Sequence, residues 1–224
     1  MKKTLAAAML CLFLAGCAST EITYVYKAGN YKLDTFRKLA VLAVIPNTHG
    51  RVEVEEAVVA AMNAKGIHAV TTWSIFPLAN NTELIKKAGF EGEKAKEIVR
   101  EKVEKNSIDG LLIITMFDSK KEQRYVGGSS TAVGIGVGMP GYPVYGYPYY
   151  AYFGYAWEVA SEPGYYVDAS TYFIESNLYD ISTEKLVWTG QTKTKMQTTL
   201  TDEAAHFGKV LTDRMISDSK VVTP

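Results

Sequence analysis

Leu111 to Phe117 reads LLIITMF, a run in which Thr115 is the one polar residue. Successive side chains of a strand point to opposite faces, so a segment apolar at both parities has to be covered on both sides. It is therefore the expected central strand of a sheet, with Ile113 and Ile114 both in the core. Ser107, Ile108, Asp109 and Gly110 supply the turn before it, and the extension from Asp118 to Arg124 is polar enough to be exposed.

Outward toward the N-terminus, Lys38 to Ile45, KLAVLAVI, has the same two-sided apolar character and ends at Pro46 and Asn47, predicting a second interior strand. Glu53, Glu55 and Glu56 then fit the first turn of a helix, where carboxylates suit the positive end of the dipole. Val54, Val58, Ala61 and Met62 form its apolar stripe, and Gly66 its cap. Ile67 to Thr72 predicts a short strand, followed by a loop whose Trp73, Phe76 and Pro77 would place aromatics over a sheet edge. Asn81 can cap a short helix from Thr82 to Ala88, and Glu93 to Lys105 forms a longer one with Ala95, Ile98, Val99 and Val103 inward. Before all of these, Ile22, Tyr24 and Tyr26 alternate with Thr23 and Val25, the signature of an edge strand.

Toward the C-terminus, Tyr165 to Asp180 alternates, with Tyr172, Ile174 and Leu178 on one face and Thr171, Glu175 and Asn177 on the other. Ile181 to Glu184 turns the chain into Lys185 to Thr194, completing a β-hairpin. Thr201 opens a last helix with Asp202 and Glu203 near its start and Ala204, Phe207, Leu211 and Met215 on its inner face. The order predicts an α/β domain: a mixed sheet flanked by helices, with a long Gly/Tyr-rich insert before a C-terminal β-hairpin and helix.

The strings KLAVLAVIP, EEAVVAAMNAKGIHAV, IDGLLIITMFD and SNLYDISTEKLVWTG, spread over Lys38 to Thr194, resemble landmarks of one bacterial envelope group. It comprises small lipoproteins related to the curli-secretion lipoprotein and to the lipoprotein activators of penicillin-binding proteins, which share a domain like the N-terminal domain of TolB. The resemblance implies compartment, fold and an assembly or scaffolding role, and it brings no catalytic motif.

The first residues agree with that compartment. Met1 to Cys17, MKKTLAAAMLCLFLAGC, has Lys2 and Lys3 before an apolar run from Thr4 to Phe13, shorter than the roughly 20 residues that span a bilayer. Leu14, Ala15, Gly16 and Cys17 match the lipobox of bacterial lipoproteins, making Cys17 the expected lipidation site and its lipid the membrane contact. Ala18 in place of Asp implies, by the same resemblance, sorting to the outer membrane. The expected organisation is a signal peptide over 1–16, a lipidated tether with an edge strand over 17–37, one α/β domain over 38–217 and a tail over 218–224.

Removal of residues 1–16 leaves 22 basic against 24 acidic residues, a formal charge of −2, so nothing points to nucleic acid. Cys11 departs with the signal and Cys17 is consumed by lipid, which leaves the domain no disulfide and no thiolate metal site. His49, His68 and His206 fall singly in a loop, a strand and a helix, without metal-ligand spacing. Gly136, Gly138 and Gly141 satisfy GxGxxG, but Pro140, Pro143 and Pro148 forbid the helix that a dinucleotide fingerprint requires. Asp168 and Glu175 have odd separation on one predicted strand, so they face opposite ways and read as solvated carboxylates. No catalytic residues and no cofactor are implied.

Tyr125 to Trp157 is the unusual stretch: 33 residues without a charge, with eight glycines and three prolines. Tyr142, Tyr145, Tyr147, Tyr149, Tyr150, Tyr152 and Tyr155 cluster within it. Three readings stand: a surface loop, a binding surface built on amphipathic tyrosine, or a hairpin inserted in lipid. These expectations add up to a non-enzymatic outer-membrane lipoprotein whose periplasmic domain meets an envelope protein partner or a second copy of itself. The alternative is a glycan or small-molecule binding module using the tyrosines.

Overall fold

A computed structural model describes residues 19–45, 48–73, 75, 93–120 and 171–220. The elements are β1 (Thr20–Lys27), a 3-10 turn (Leu33–Thr35), β2 (Leu39–Val44), α1 (Thr48–Ala64), β3 (Ala69–Thr71) and α2 (Glu93–Lys105). They continue with β4 (Gly110–Lys120), β5 (Thr171–Asp180), β6 (Lys185–Lys195) and α3 (Leu200–Lys220). One six-stranded sheet has the order β1-β6-β5-β4-β2-β3. β2 runs parallel to β3 and β4, whereas β5 pairs antiparallel with β4 and β6, and β1 antiparallel with β6. The α/β class with a mixed sheet and flanking helices is as the sequence predicts.

From β2 the chain crosses outward through α1 to β3, then back through α2 to β4 on the other side of β2. Two crossovers of the same hand in opposite directions place their helices on opposite faces. The burial follows. On one face Leu39, Val41, Ala43, Leu112, Ile114, Leu178 and Trp188 meet Val54, Val58 and Met62 of α1 and Ala204, Phe207, Leu211 and Met215 of α3. On the other, Ala40, Leu42, Val44, Leu111, Ile113 and Tyr179 meet Val103 and Ile108. Ile113 and Ile114 are both fully buried, one in each cluster.

Gly66, at φ 80°, ends α1 in a Schellman turn, with Gly66 N–H donating to the Asn63 carbonyl and Ile67 N–H to that of Met62, each at 3.0 Å. α1 and α3 approach so closely that a Cβ on Gly208 would stand 2.8 Å from the Ala57 carbonyl oxygen. In the β5–β6 turn the Asp180 carboxylate accepts from the Ser182 hydroxyl at 2.6 Å and the Thr183 N–H at 3.0 Å. Burial works to raise its pKa, but these hydrogen bonds outweigh it and leave the group below its usual range.

Several expectations need correction. A bulge between Ile22 and Tyr24 takes Thr23 out of the pairing register, its hydroxyl donating to the Gln191 carbonyl at 3.2 Å, and reverses the parity of β1, so Val25 packs on the core while Tyr24 is exposed. α1 begins at Thr48, so its first turn carries no acid; His49 lies in the helix, and Glu55 is fully buried one turn after Arg51. Glu175 and Asn177 are buried as well, at 3 % and 2 % exposure, so the second face of β5 is not solvated. The folded body also exceeds 38–217 at both ends: Ser19 and Thr20 are buried, and α3 continues to Lys220. Asp168, the predicted helix over 82–88, Phe76 and Pro77 lie outside the described residues.

Candidate functional site at one end of the sheet

The strand directions bring the start of β1, the end of β6, the start of β5 and the end of β4 to the same end of the sheet. Register makes this concrete: Thr20 pairs with Thr194, Lys195 with Thr171, and Thr171 with Lys120. Lys195 N–H donates to the Ser19 carbonyl at 2.6 Å. With about 4.8 Å between strands, Lys120 and the β1 start are separated by roughly 14 Å. The chain therefore leaves the sheet at Lys120 and re-enters at Thr171, its neighbour on the next strand, close to the point where the N-terminus enters. β2 and β3 run parallel to β4 but stop short of this end: Val44 pairs with Thr115, and Thr71, paired with Val41, is level with Leu112.

The N-terminal entry is held firmly. The Thr20 and Thr194 hydroxyls are 3.0 Å apart in a buried contact. Under them, one Glu203 oxygen accepts from Gln197 N–H, Thr198 N–H and the Thr198 hydroxyl, each at 3.0 Å. Burial works to raise the Glu203 carboxyl, but hydrogen bonds from Ser19, Gln197 and Thr198 more than offset it, holding it below the ordinary range.

Where α1 meets β2 and β3, at the level of Ile113 and Ile114 on β4 and so several residues short of the Lys120 end, Glu55 ties three elements together. Its Oε1 accepts from Arg51 Nε at 2.7 Å, Ala43 N–H at 3.1 Å and the Thr72 hydroxyl at 3.1 Å. Its Oε2 accepts from Thr72 N–H at 2.7 Å and Trp73 N–H at 2.9 Å. Arg51 Nη2 donates to the same Thr72 hydroxyl at 3.2 Å. An ion pair buried this deeply is tolerable because its lone pairs are satisfied. A carboxylate with both oxygens taken by fixed donors braces structure and does not serve as a general base. What it braces is the turn after β3, whose Trp73 is 39 % exposed.

A second polar set lies on β5 and β6, on the α2 side of the sheet. Asn177 Nδ2 donates to Glu175 Oε1 at 2.8 Å, Gln191 Nε2 to Glu175 Oε2 at 3.0 Å, and the Thr189 hydroxyl to Asn177 Oδ1 at 2.7 Å. Tyr179 belongs to the same face, and burial, with Glu175 second, pushes its phenol far above the usual range.

Cys17 and the seven tyrosines, Tyr142, Tyr145, Tyr147, Tyr149, Tyr150, Tyr152 and Tyr155, lie outside the described residues; the structure gives the place where their segments join the sheet. His49, His68 and His206 are on α1, before β3 and on α3, and among the described residues no cluster of His, Cys, Asp or Glu could hold a metal. Arg51 and Glu55 were not singled out from the sequence as a pair. The available signal was their position: Glu55 shares the helical face of Val54, Val58 and Met62, with Arg51 one turn before it.

No family model and no curated protein matches the chain. Among solved structures it is similar to the PelC dodecamer from Paraburkholderia phytofirmans in space group P6, at 12 % identity and a TM-score of 0.41, covering 84 % of this chain and 95 % of that one. A single-substitution variant of that dodecamer in space group C2 gives the same identity and TM-score, with 96 % of its chain covered.

Proposed function

We propose that this chain is a non-enzymatic outer-membrane lipoprotein, anchored through Cys17, whose α/β domain faces the periplasm and works as an interaction or assembly module for an envelope protein or for further copies of itself. The supporting observation is at Ser19. Two residues after the lipobox cysteine, the chain is already buried and hydrogen-bonded into the sheet, so an anchor at Cys17 would carry a rigid body and not a free tether. The resemblance to small envelope lipoproteins supports the same role. The carboxylates described in detail, Glu55 and Glu175, are engaged in structural hydrogen bonds, which favours a scaffold over a hydrolase.

Mild crosslinking in the native envelope followed by co-purification tests the proposal. A single stoichiometric protein partner, or multiples of the chain itself, is the expected result. Retention on purified peptidoglycan or lipopolysaccharide with no protein partner would replace it with the glycan-binding reading.

A further inference from the structure

We propose that the outer edge of β1 pairs antiparallel with the same edge of a second copy of this chain, the two strands related by a twofold axis at Tyr26, so that two sheets join into one. This deepens the assembly-module reading and rests on it.

The backbone register selects the residues. Among the described residues β1 is the last strand of the sheet, with β6 as its neighbour. Ala28 N–H donates to the Val187 carbonyl at 2.9 Å, and residues of an antiparallel pair alternate between those that bond across and those that do not. Tyr24, Tyr26 and Ala28 therefore turn their backbone groups toward Gln191, Thr189 and Val187, whereas Val25 and Lys27 turn theirs away from β6. Two outward residues spaced by one are complementary to themselves. About a twofold axis at Tyr26, Val25 stands opposite Lys27 of the second copy and Lys27 opposite its Val25, and each pair exchanges both of its N–H···O=C bonds. Tyr26 then meets its own copy in the closer kind of antiparallel pair.

The composition of this edge is the second observation. Edge strands are ordinarily kept apart by charges, prolines or a cover. Ile22 to Tyr26 is uncharged and consists of β-branched and aromatic residues, the types that favour a strand, and its Tyr24 is 38 % exposed. The first charge after that run is drawn aside: Lys27 Nζ donates to the Asp218 carbonyl at 3.2 Å, on a residue whose carboxylate accepts from Trp188 Nε1 of β6, so the ammonium lies back over the sheet.

The opposite edge shows how this fold protects a strand. Ala69 N–H donates to Asn63 Oδ1 at 3.0 Å and its carbonyl accepts from Asn63 Nδ2 at 3.1 Å, so a side chain of α1 takes the place of a neighbouring strand. β3 is also only 3 residues long, against 8 for β1. On β1 the bulge at Thr23 bends the first half and confines pairing to the regular run from Tyr24 to Ala28. That overlap is short, so it acts at the high local concentration of chains held on one membrane.

The test is disulfide trapping in native membranes with the full-length chain. On the lipoprotein reading Cys11 is removed and Cys17 is taken by lipid, so an introduced cysteine is the reactive thiol, and the wild-type chain is the blank. The closer antiparallel pair sets Cα atoms about 4.5 Å apart, within the span of a disulfide, and Tyr26→Cys should give a linked dimer on mild oxidation. Tyr24→Cys should not, because the same register leaves it roughly 13 Å along the strand from its own copy. Val25→Pro removes an outward N–H and no bond to β6, so in the Tyr26→Cys background it should abolish trapping while the urea melt stays cooperative. If the proline variant fails to fold, the comparison of the two cysteines decides. Absence of a dimer from Tyr26→Cys, equal dimer from both cysteines, or a dimer that survives Val25→Pro overturns the edge pairing. Crosslinking of the wild-type chain that still returns a protein partner would then leave the assembly-module reading standing without it.

Discussion

Arg51 and Glu55 pair at 2.7 Å, one helical turn apart, with side chains 2 % and 0 % exposed. The pair sits where the amino end of α1 meets the carboxyl ends of β2 and β3, and it draws Ala43, Thr72 and Trp73 onto one carboxylate. Removing one partner of such a pair leaves a desolvated charge, a loss of about 3–5 kcal/mol. Glu55→Ala should therefore lower stability by that order in urea melts. Arg51→Met combined with Glu55→Leu should cost less than Glu55→Ala alone, because the charge goes with its partner. If the double variant is worse than the single, the pair itself contributes net stability here.

Ile113 and Ile114 lie on adjacent positions of β4 but in different cores, one over α2 and one over α1 and α3. Each Ile→Ala change should cost about 2–5 kcal/mol through lost burial and an incompletely collapsed cavity. Because the cavities open on opposite faces of the sheet, the two losses should be close to additive. A loss under about 1 kcal/mol at Ile113 would mean that the face under α2 is loosely filled.

The interior strands were legible in the sequence because runs such as LAVLAV and LLIIT leave no alternative to two-sided burial. The residues that were misread share another cause. The parity of β1 turns on a single bulge at Thr23, and a bulge leaves no trace in alternation. Glu55 and Glu175 were read by type, one as a first-turn carboxylate at a helix dipole and the other as a solvated strand carboxylate, although each lies at a position whose neighbours are buried. Their donors are strand N–H groups and side chains on other elements, such as Ala43, Thr72 and Gln191, which only the fold brings together. Convergence of the β1 entry with Lys120 and Thr171 was likewise invisible before the strand order was known.

Glu203 supplies a pH dependence. Its folded pKa lies below the ordinary value of 4.5, so its contribution is fully present above pH 4.5 and is lost as the pH falls through the lower folded value. Within that window the unfolded chain binds more protons than the folded one, and stability drops with acid. Glu203→Gln should be less stable than wild type at neutral pH, and the gap should narrow as the pH is lowered below 4.5. Chemical denaturation at a series of pH values reads this; a gap that stays constant would assign the effect to packing.

Lys120 and Thr171 are paired residues at the ends of β4 and β5, so the strands flanking the Gly/Tyr-rich segment already meet as a hairpin would. Their pairing runs from Gly110 with Asp180 to Lys120 with Thr171, and these strands bury Leu112, Ile114 and Leu178 against α1 and α3. Replacing Gly127 to Trp157 with a short Gly/Ser linker asks little of the sheet, since loop closure changes by only about 0.6 kcal/mol per doubling of length. The shortened domain should melt cooperatively near the wild-type midpoint. Losing the crosslinked partner at the same time would place the interaction on the tyrosines, because nothing in the junction strands has changed. Keeping every partner would assign the interaction to the sheet and helices and leave the segment as a loop. Failure to fold would make the tyrosines part of the core, joined to it next to the point where the N-terminus enters, and would remove the ground for treating them as a contact surface.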